Sequence, residues 1–360
     1  MKRALCLLVL VAACSSGTNK AAPTPTPTES PTPTVTSQPS ATPTTTAAPT
    51  PTPKPFTGPV GTKVPSGFRP MSATWISDRT GFVLGASPCP SGKGSCDVIA
   101  RTRDAGKTWR AIPSPRTSPD KLAQIRMANE RDGFVTGDQL WVTHDGGGSW
   151  KAQGTSVNEL AIAAGRAWTS TEKGLQSAPV TTAVFVQEKV TSEVATFSVR
   201  GPQVVFGAAD APGIQTVEHG AAPTNHVSPC KDGQSAVPVE GTATHWFVVC
   251  EGDAGLGHQE KHAFQSTDGG TSWKSAGDPP QVTGSDSYVT TDGIFVIDHQ
   301  QVAVYRGGTW STALDTDGGI AEGGFESARL GYCIGGFGDT TDTTMKLSHD
   351  AGRTWTTVAF

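Results

Sequence analysis

One eight-residue pattern recurs four times and restricts the possible folds of this chain more than any other feature. STDGGTSW occupies 266–273, and its relatives TRDAGKTW, THDGGGSW and SHDAGRTW occupy 102–109, 143–150 and 348–355. All four fit the template Ser/Thr-x-Asp-x-Gly-x-Ser/Thr-Trp. An Asp that accepts hydrogen bonds from N–H groups just ahead of it, followed by Gly, is typical of a tight turn. The pattern therefore predicts four hairpin turns, each entering a strand that begins with a packing Trp.

The same residue types stand at the same position in every copy, so we interpret them as structural. The alternative is that the four carboxylates carry out chemistry. The predicted turn residues are Asp104, Gly106, Trp109, Asp145, Gly147, Trp150, Asp268, Gly270, Trp273, Asp350, Gly352 and Trp355.

The spacing of the copies indicates the architecture. Asp104 and Asp145 are 41 residues apart, and the next two intervals, 123 and 82, are three and two times 41. A period of about 40–50 residues is typical of a four-stranded β-propeller blade. We interpret YRGGTW (305–310) and STEKGLQS (170–177) as degenerate copies, with a third near Asp210. The sequence thus predicts an all-β chain with one propeller of seven blades, with six or eight left open.

A second motif supports this assignment. Arg-x-Gly-Phe/Tyr-x-x-Gly occurs at 79–85, 131–137 and 329–335 and precedes a turn copy each time. It predicts a tight turn between a blade's first and second strands. The connections between second and third strands look enlarged in three places, 86–97, 251–262 and 336–344. We expect these loops on the face opposite the Asp turns.

The two motifs together resemble the Asp-box (BNR) repeat of the sialidase/sortilin-like superfamily. The pairing of a Gly-aromatic strand with a downstream Asp turn resembles the photosystem II assembly-factor-like branch. The similarity covers 68–360 and implies the fold far more strongly than a function, because one fold hosts many functions.

A sialidase-like activity is the enzymatic alternative that this resemblance implies. Such enzymes need a Phe-Arg-Ile-Pro-type segment, an arginine triad and a Tyr nucleophile paired with Glu. The nearest segment is Phe68-Arg69-Pro70, and only Tyr288, Tyr305 and Tyr332 are available. The set does not assemble from the sequence, so we predict no catalytic residues and keep an exo-glycoside hydrolase as the alternative.

The first 55 residues predict export and anchoring. Lys2 and Arg3 precede a short apolar run that ends in Val-Ala-Ala-Cys, which resembles a bacterial lipobox. Residues 1–13 are then a lipoprotein signal peptide and Cys14 the lipidated N-terminus; an ordinary secretory signal is the alternative. Residues 14–55 are rich in Pro and Thr, cannot bury a core and predict a disordered stalk before a 56–360 domain.

Charge and composition restrict the classes of molecule that this chain can bind. The chain has 28 basic and 32 acidic residues, of which four basic and one acidic lie in 1–55. Residues 56–360 therefore hold 24 basic and 31 acidic residues, which gives this part a net charge of −7. This net charge argues against a surface that binds nucleic acid or anionic membranes. HQEKH (258–262) and the Asp339–Asp342 pair are more typical of solvated loops than of metal sites. We expect no cofactor, no metal and a monomer.

The cysteines predict two disulfides, since export permits them. Cys89–Cys96 would close a short loop, and Cys230–Cys250 would join neighbouring strands of one blade. Cys333 lies in a predicted core strand and is expected to be a buried free thiol.

Three arginines are the candidate binding residues. Arg79, Arg131 and Arg329 stand two residues before the Gly of the second motif, in the first, second and last blades. Those blades are consecutive in a closed ring, so the guanidiniums would share one face and suit an acidic partner. The alternative is that they pair with Asp78, Glu130 or Glu326 and only fix their turns. We expect a lipid-anchored extracytoplasmic module that binds a protein or glycan of the cell envelope.

Overall fold

The computed structural model describes residues 56–117, 121–154, 157, 159–208, 213–231, 234–239, 244–256, 258–280, 286–289, 293–298, 300–315, 319–335 and 343–360. The predicted signal peptide and stalk, Cys14, Asp210, Asp339 and Asp342 lie outside these residues. Within them, no helix is long and apolar enough to cross a membrane.

The described chain forms seven antiparallel sheets in sequence order, which confirms the predicted seven-bladed, all-β propeller. The first blade follows β1 (Thr62–Lys63) and contains β2 (Arg69–Trp75), β3 (Gly81–Pro88), β4 (Ser95–Thr102) and β5 (Arg110–Ile112). The second contains β6 (Leu122–Met127), β7 (Gly133–Gly137), β8 (Trp141–Thr143) and β9 (Lys151–Ala152). The third contains β10 (Leu160–Ala163), β11 (Arg166–Thr171), β12 (Gly174–Pro179) and β13 (Val186–Gln187).

The remaining four blades repeat this order. Their strands are β14 (Val194–Arg200), β15 (Gln203–Ala208), β16 (Ile214–Glu218) and β17 (Thr224–His226), then β18 (Ser235–Val239), β19 (Trp246–Gly255), β20 (His258–Ser266) and β21 (Lys274–Ser275). The sixth has β22 (Asp286–Val289), β23 (Ile294–Ile297), β24 (Gln301–Arg306) and β25 (Thr309–Asp315). The seventh has β26 (Ile320–Phe325), β27 (Gly331–Gly335), β28 (Thr344–Ser348) and β29 (Thr356–Thr357).

The second strand of a blade is apolar on both faces because blades stack on both sides of it. In β3, Val83 packs into a cluster with the seventh blade, whereas Phe82 and Leu84 pack against the second. Successive side chains of a strand point to opposite faces, so one short run supplies both interfaces. The Gly-Phe-Val-Leu-Gly sequence therefore specifies a central strand between two neighbours.

Three of the five strand-initial Trp side chains also bond to the preceding blade, whereas Trp109 donates to Gly106 O of its own turn at 3.1 Å. The indole Nε1–H groups of Trp150, Trp273 and Trp310 donate to the carbonyl oxygens of Pro113, Val227 and Ala276, at 3.0, 2.7 and 2.8 Å. Each acceptor directly follows the outer strand of the preceding blade. In these three blades the Trp thus fixes the packing of its blade against the preceding blade.

The ring closes without exchange of a strand. β1 pairs with the outer edge of β5 as a fifth strand, and all four strands of the seventh blade come from one continuous stretch. The seam between the seventh and first blades is an apolar cluster. In it, the Phe360 ring lies 4.7 Å from Phe68 and 5.1 Å from Trp109 between centroids. Side-chain packing therefore takes the place of backbone pairing at the seam.

Two of the degenerate copies were assigned to the wrong connection. STEKGLQS spans the hairpin between β11 and β12, which are second and third strands, and the connection between the third and fourth strands is 180–185. Asp210 falls between β15 and β16, whereas the corresponding connection of that blade is 219–223. The YRGGTW copy does join third and fourth strands, through Gly307 and Gly308.

The enlarged loops also differ from expectation. Residues 251–262 are not a loop but a continuation of β19 and β20 as a ribbon, with Glu251 opposite Lys261 and Gly255 opposite His258. HQEKH is therefore a strand segment. Only 89–94 of the first predicted loop is irregular, and 336–342 of the third lies outside the described residues.

Both predicted cysteine pairs are disulfide-bonded in the structure. Cys89 and Cys96 close the irregular 89–94 segment, with their Cα atoms 5.0 Å apart. Cys250 lies in β19, but Cys230 lies in the connection between the fourth and fifth blades, so this bond does not join two strands as we expected. Cys333 is a buried free thiol whose pKa burial raises to about 12.

Candidate functional site

The four Asp turns share one hydrogen-bond geometry. In the second blade, Asp145 Oδ1 accepts bonds from the Thr143 hydroxyl and the Ser149 N–H, both at 2.8 Å, and Oδ2 accepts the Ser149 hydroxyl at 2.7 Å. The Thr143 hydroxyl in turn accepts the Gly147 N–H at 2.9 Å. Asp104, Asp268 and Asp350 repeat these bonds with their own neighbours. Each carboxylate bonds within its own turn, which favours the structural interpretation.

The turn also explains its glycine. The two residues after each Asp have positive φ, for example 63° at Ala105 and 82° at Gly106. A Cβ built on Gly106 would stand 2.7 Å from a Leu347 side-chain carbon of the seventh blade. The second position therefore needs Gly for both conformation and space.

The hydrogen bonds keep these aspartates ionised. Bonds from the Ser272 hydroxyl and N–H and from the Ser266 hydroxyl lower the pKa of Asp268 to about 2. Partial burial acts to raise the pKa of Asp350, but the bonds from Thr354 and Ser348 outweigh it and bring the pKa to about 2. A general acid near neutral pH needs the opposite shift.

The two sequence motifs meet through the backbone. The N–H of the residue after the box Asp donates to the carbonyl oxygen of the motif arginine of the same blade. The pairs are Ala105 with Arg79 at 3.0 Å, Gly146 with Arg131 at 2.8 Å, and Ala351 with Arg329 at 2.9 Å. The main chain of each arginine thus holds the turn, and the guanidinium is not needed for that task.

The three guanidiniums are exposed on neighbouring turns. A bond of 3.0 Å from the Ser327 hydroxyl to Asp78 Oδ1 joins the Arg329 turn to the Arg79 turn across the seam. Across the described residues, none of these arginines forms an ion pair with Asp78, Glu130 or Glu326, so the pairing alternative is not observed. Arg131 instead stacks over the Phe56 ring at 4.7 Å.

The strap (residues 56–64) brings Phe56 to this face. The Arg101 guanidinium donates to Pro59 O at 2.7 Å, and that of Arg103 donates to Thr57 O. β1 within the strap then pairs with β5. We call the exposed turns that carry Arg79, Arg131 and Arg329 the arginine face, and the strap ends beside it.

A central channel of about 560 Å³ is lined by the first strands of the blades. At its wall, Glu322 Oε1 accepts four bonds, from the Ser72 hydroxyl, the Ala73 N–H, Arg126 and the Tyr332 hydroxyl, at 3.0, 3.2, 3.3 and 2.9 Å. This cluster, which we call the seam network, links the seventh, first and second blades. The sequence analysis missed it, because its members on the first strands belong to neither repeated motif.

The seam network brings together a Tyr and a Glu, as the sialidase alternative requires. However, Tyr332 is only 3% exposed, and Arg126 is the only arginine among the described residues that line the channel. Phe68 and Arg69 line a different cavity, of about 610 Å³. The segment and the Tyr–Glu pair that a sialidase needs are therefore not in one cavity.

A Ser–His–Glu group between the third and fourth blades was also missed. The Ser177 hydroxyl donates to Glu188 Oε1, and His219 Nδ1 lies 2.8 Å from that oxygen and 3.5 Å from the hydroxyl. In a catalytic triad the serine hydroxyl bonds to one ring nitrogen of the histidine, which acts as the base, and the carboxylate bonds to the other ring nitrogen. Here both contact Nδ1 and Ser177 is fully buried, so the group joins two blades and does not form a triad.

The HQEKH segment forms ion pairs rather than a metal site. His262 lies between Glu260 and Asp278, 2.7 Å from each, and the Asp278 bond followed by the Glu260 bond raises the pKa of His262. Lys261 between them is fully buried. In the part of the chain that the structure describes, no three His, Cys, Asp or Glu side chains converge as metal ligands.

Comparison with known proteins gives structural similarity alone. No family model and no curated protein matches this chain. YCF48 bound to a D1 peptide is 15% identical, with a TM-score of 0.52 over 81% of this chain and 96% of that one. YCF48 from Cyanidioschyzon merolae is 12% identical, with a TM-score of 0.54 over 81% and 98%.

A third similar structure is the β-propeller domain of the trilobed protease from Pyrococcus furiosus, which has an open velcro topology. It is 7% identical, with a TM-score of 0.57 over 83% of this chain and 97% of that one. At these identities the comparisons support the propeller fold, and they identify no function.

Proposed function

We propose that this chain is a lipid-anchored, extracytoplasmic binding or assembly-helper module that has no catalytic role. Its partner is an acidic segment of a cell-envelope protein, and the arginine face is its docking site. A glycan with carboxylate groups is the other partner of the same chemistry.

One observation carries the proposal: Arg79, Arg131 and Arg329 combine a structural backbone with exposed guanidiniums that form no ion pair in the described chain. Any short residue at these positions could supply the carbonyl that holds the turn. Arginine is the side chain suited to bidentate contact with carboxylates. The surrounding domain is acidic, so a basic face there stands against the overall charge.

The comparisons support a peptide as the partner. One structurally similar protein, YCF48, has a structure with a bound D1 peptide. A peptide also lies on the present domain itself, because the strap is an extended segment held by Arg101, Arg103 and Arg131. Arginines on this side of the domain thus already contact an extended chain.

A matched pair of triple variants tests the arginine face. Arg79→Ala, Arg131→Ala and Arg329→Ala together should leave the fold intact and abolish binding of an oligoglutamate peptide and of partners captured from surface-labelled cells. The control removes the same charge at three exposed side chains on the fourth strands of the first, second and fifth blades, Arg110, Lys151 and Lys274. Wild-type binding should weaken as salt is added. Full affinity in the folded arginine variant would refute the docking site.

The anchor is tested separately. Cys14→Ala should release the protein from the membrane or leave it as an uncleaved precursor, because the thiol is the proposed acyl acceptor. Metabolic labelling with a clickable fatty acid reports acylation directly. Label retained by the variant would exclude Cys14.

The Tyr332–Glu322 contact is the one observation that favours the hydrolase alternative. A fluorogenic sialoside assay on the purified chain decides between the two. We expect no turnover above the rate of a Tyr332→Phe variant. Robust turnover that this variant lacks would replace the binding proposal with a catalytic one.

A further inference from the structure

The strap is held by two cations that would suit a carboxylate better. The Arg101 guanidinium donates to Pro59 O at 2.7 Å, and the Arg103 guanidinium donates to Thr57 O. Across the described residues, neither guanidinium forms an ion pair with a carboxylate. A carboxylate carries the opposite charge and can accept two parallel bonds from one guanidinium, so it is a stronger partner than a backbone carbonyl.

Burial makes this mismatch more costly at Arg101, which is only 8% exposed. Burial lowers the pKa of Arg101 and the neighbouring charge of Arg103 lowers it further, while the more distant charge of Glu130 acts in the opposite direction. A cation in such a place normally has an ionised partner. The strap supplies only carbonyl groups there.

The strap itself is weakly attached. β1 pairs with β5 through two residues, Thr62 and Lys63, and both are exposed. Val60 is 96% exposed, and only Val64, at the end of the strap, belongs to a core cluster. A segment with few buried apolar contacts opens at a small cost in free energy. The first residues of the strap can therefore leave the domain while Val64 stays in place.

The strap also occupies part of the arginine face. The Phe56 ring lies over the Arg131 guanidinium at 4.7 Å. Arg103 stands in the Asp turn of the first blade, whose Ala105 N–H donates to Arg79 O. A ligand that spans Arg79 and Arg131 therefore meets the strap on the same surface.

We propose that the strap is a built-in competitor of the acidic partner. In the free protein it occupies Arg101, Arg103 and Arg131, and an extended acidic segment displaces it and binds these guanidiniums in its place. This inference rests on the proposed function of the arginine face, and it adds a regulatory step and two further arginines to that site.

Two release variants, at opposite ends of the strap, test the competition. A Cβ at Gly61 would stand 2.5 Å from Arg110 Cβ and 3.0 Å from Ala111 O, so Gly61→Val should force the strap off β5. Phe56→Ala removes the ring that covers Arg131. Gly255→Val is the control, because a Cβ there meets nothing within 4 Å.

Affinity for an oligoglutamate peptide is measured by calorimetric titration of the full chain, purified in a non-ionic detergent. An occupied site reduces the apparent affinity in proportion to the fraction of molecules in which it is free, so both release variants should bind about tenfold more tightly than the wild type. Gly255→Val should bind like the wild type. Binding to none of these proteins would refute the proposed function and this inference with it, whereas equal binding to all of them would refute this inference alone.

A further variant shows whether the freed cations contact the ligand. Arg103→Gln, added to Gly61→Val, should remove part of the gain in affinity, because the Arg103 guanidinium is then a contact of the peptide. Arg103 is exposed, so its replacement should not disturb the fold. Full retention of the gain would contradict the exchange of the strap for the acidic segment.

Hydrogen exchange on the wild type gives a second measurement that needs no variant. The backbone amides of 61–64 should exchange faster when oligoglutamate is bound, because β1 leaves β5. An oligoglutamine peptide of the same length should not change their exchange. Unchanged or slower exchange of 61–64 with oligoglutamate bound would overturn the proposal.

Discussion

Phe360 packs edge to face on Phe68, with ring centroids 4.7 Å apart and an interplanar angle of 62°. The contact joins the end of the seventh blade to the start of the first. Because no backbone strand crosses this seam, aromatic packing and the seam network carry its stability.

Phe360→Ala should therefore lower the free energy of unfolding by about 2 kcal/mol, less than full burial would give because the side chain is only partly buried. Urea titration followed by Trp fluorescence measures this, since Trp109 lies 5.1 Å from the Phe360 ring. Val60→Ala, at a 96% exposed side chain, should change it by less than about 0.5 kcal/mol. Equal effects would mean that the seam does not depend on this contact.

Removal of one box carboxylate should destabilise its blade without affecting ligand binding. Asp145→Ala leaves the Thr143 and Ser149 groups without their acceptor, at a cost of about 1–3 kcal/mol. Asp138→Ala, at an exposed neighbouring position, is the control. Loss of oligoglutamate binding at an unchanged melting temperature would instead give Asp145 a functional role.

The box aspartates predict loss of stability in acid. Asp268 and Asp350 have pKa values of about 2 in the folded chain, below the unfolded value of about 4. Their contribution is fully present above pH about 4 and is lost as pH falls towards about 2. Urea midpoints measured across this range should fall less steeply in the Asp268→Asn, Asp350→Asn double variant than in the wild type. Urea midpoints that fall equally steeply with pH in both proteins would contradict the low pKa values of Asp268 and Asp350.

Replacement of the buried Lys261 should cause a large loss of stability. Burial lowers the pKa of Lys261, and the charges of Glu251 and Asp298 act against this. Lys261→Met would leave Asp298, 3% exposed, without its buried counter-charge, so we expect a loss of about 3 kcal/mol. Lys274→Met, on the exposed strand β21, should be nearly neutral in the same chemical denaturation experiment. A more stable Lys261→Met variant would refute the pairing.

The sequence determined the blade count because blade packing is itself periodic. Trp150, Trp273 and Trp310 bond at equivalent places on the preceding blade, so the distance between them is fixed by the size of a blade. The intervals from Trp273 to Trp310 and from Trp310 to Trp355 are 37 and 45 residues, so single blades depart from 41 while the two-blade spacing of 82 is kept.

The prediction for the degenerate copies was wrong because hairpins at different places in a blade need a residue with positive φ. Gly174 has φ of 100°, which a tight hairpin between second and third strands needs as much as an Asp turn does. In the third blade the true connection has no Asp. Instead, the Val180 N–H donates to Gly165 O at 3.0 Å, in the manner of the box-to-arginine bonds.

The arginines were identifiable from sequence because they share a motif, whereas the seam network was not. Ser72, Arg126 and Glu322 meet only where the ring closes, 250 residues apart for Ser72 and Glu322. Local sequence patterns cannot reveal a contact between residues so far apart in the chain. Only the closure geometry brings these side chains together.

The position of β1 has a mechanical consequence. The strap is the part of the domain through which any pull from the N-terminal side enters, and it is held at Phe56, Thr57 and Pro59 before β1 is reached. β1 is an added fifth strand, and the ring closes elsewhere, at Phe360. Tension from that side would therefore peel the strap from β5 and break the contact between Phe56 and Arg131 while the seven four-stranded blades stay closed, so the strap can yield without unfolding the propeller.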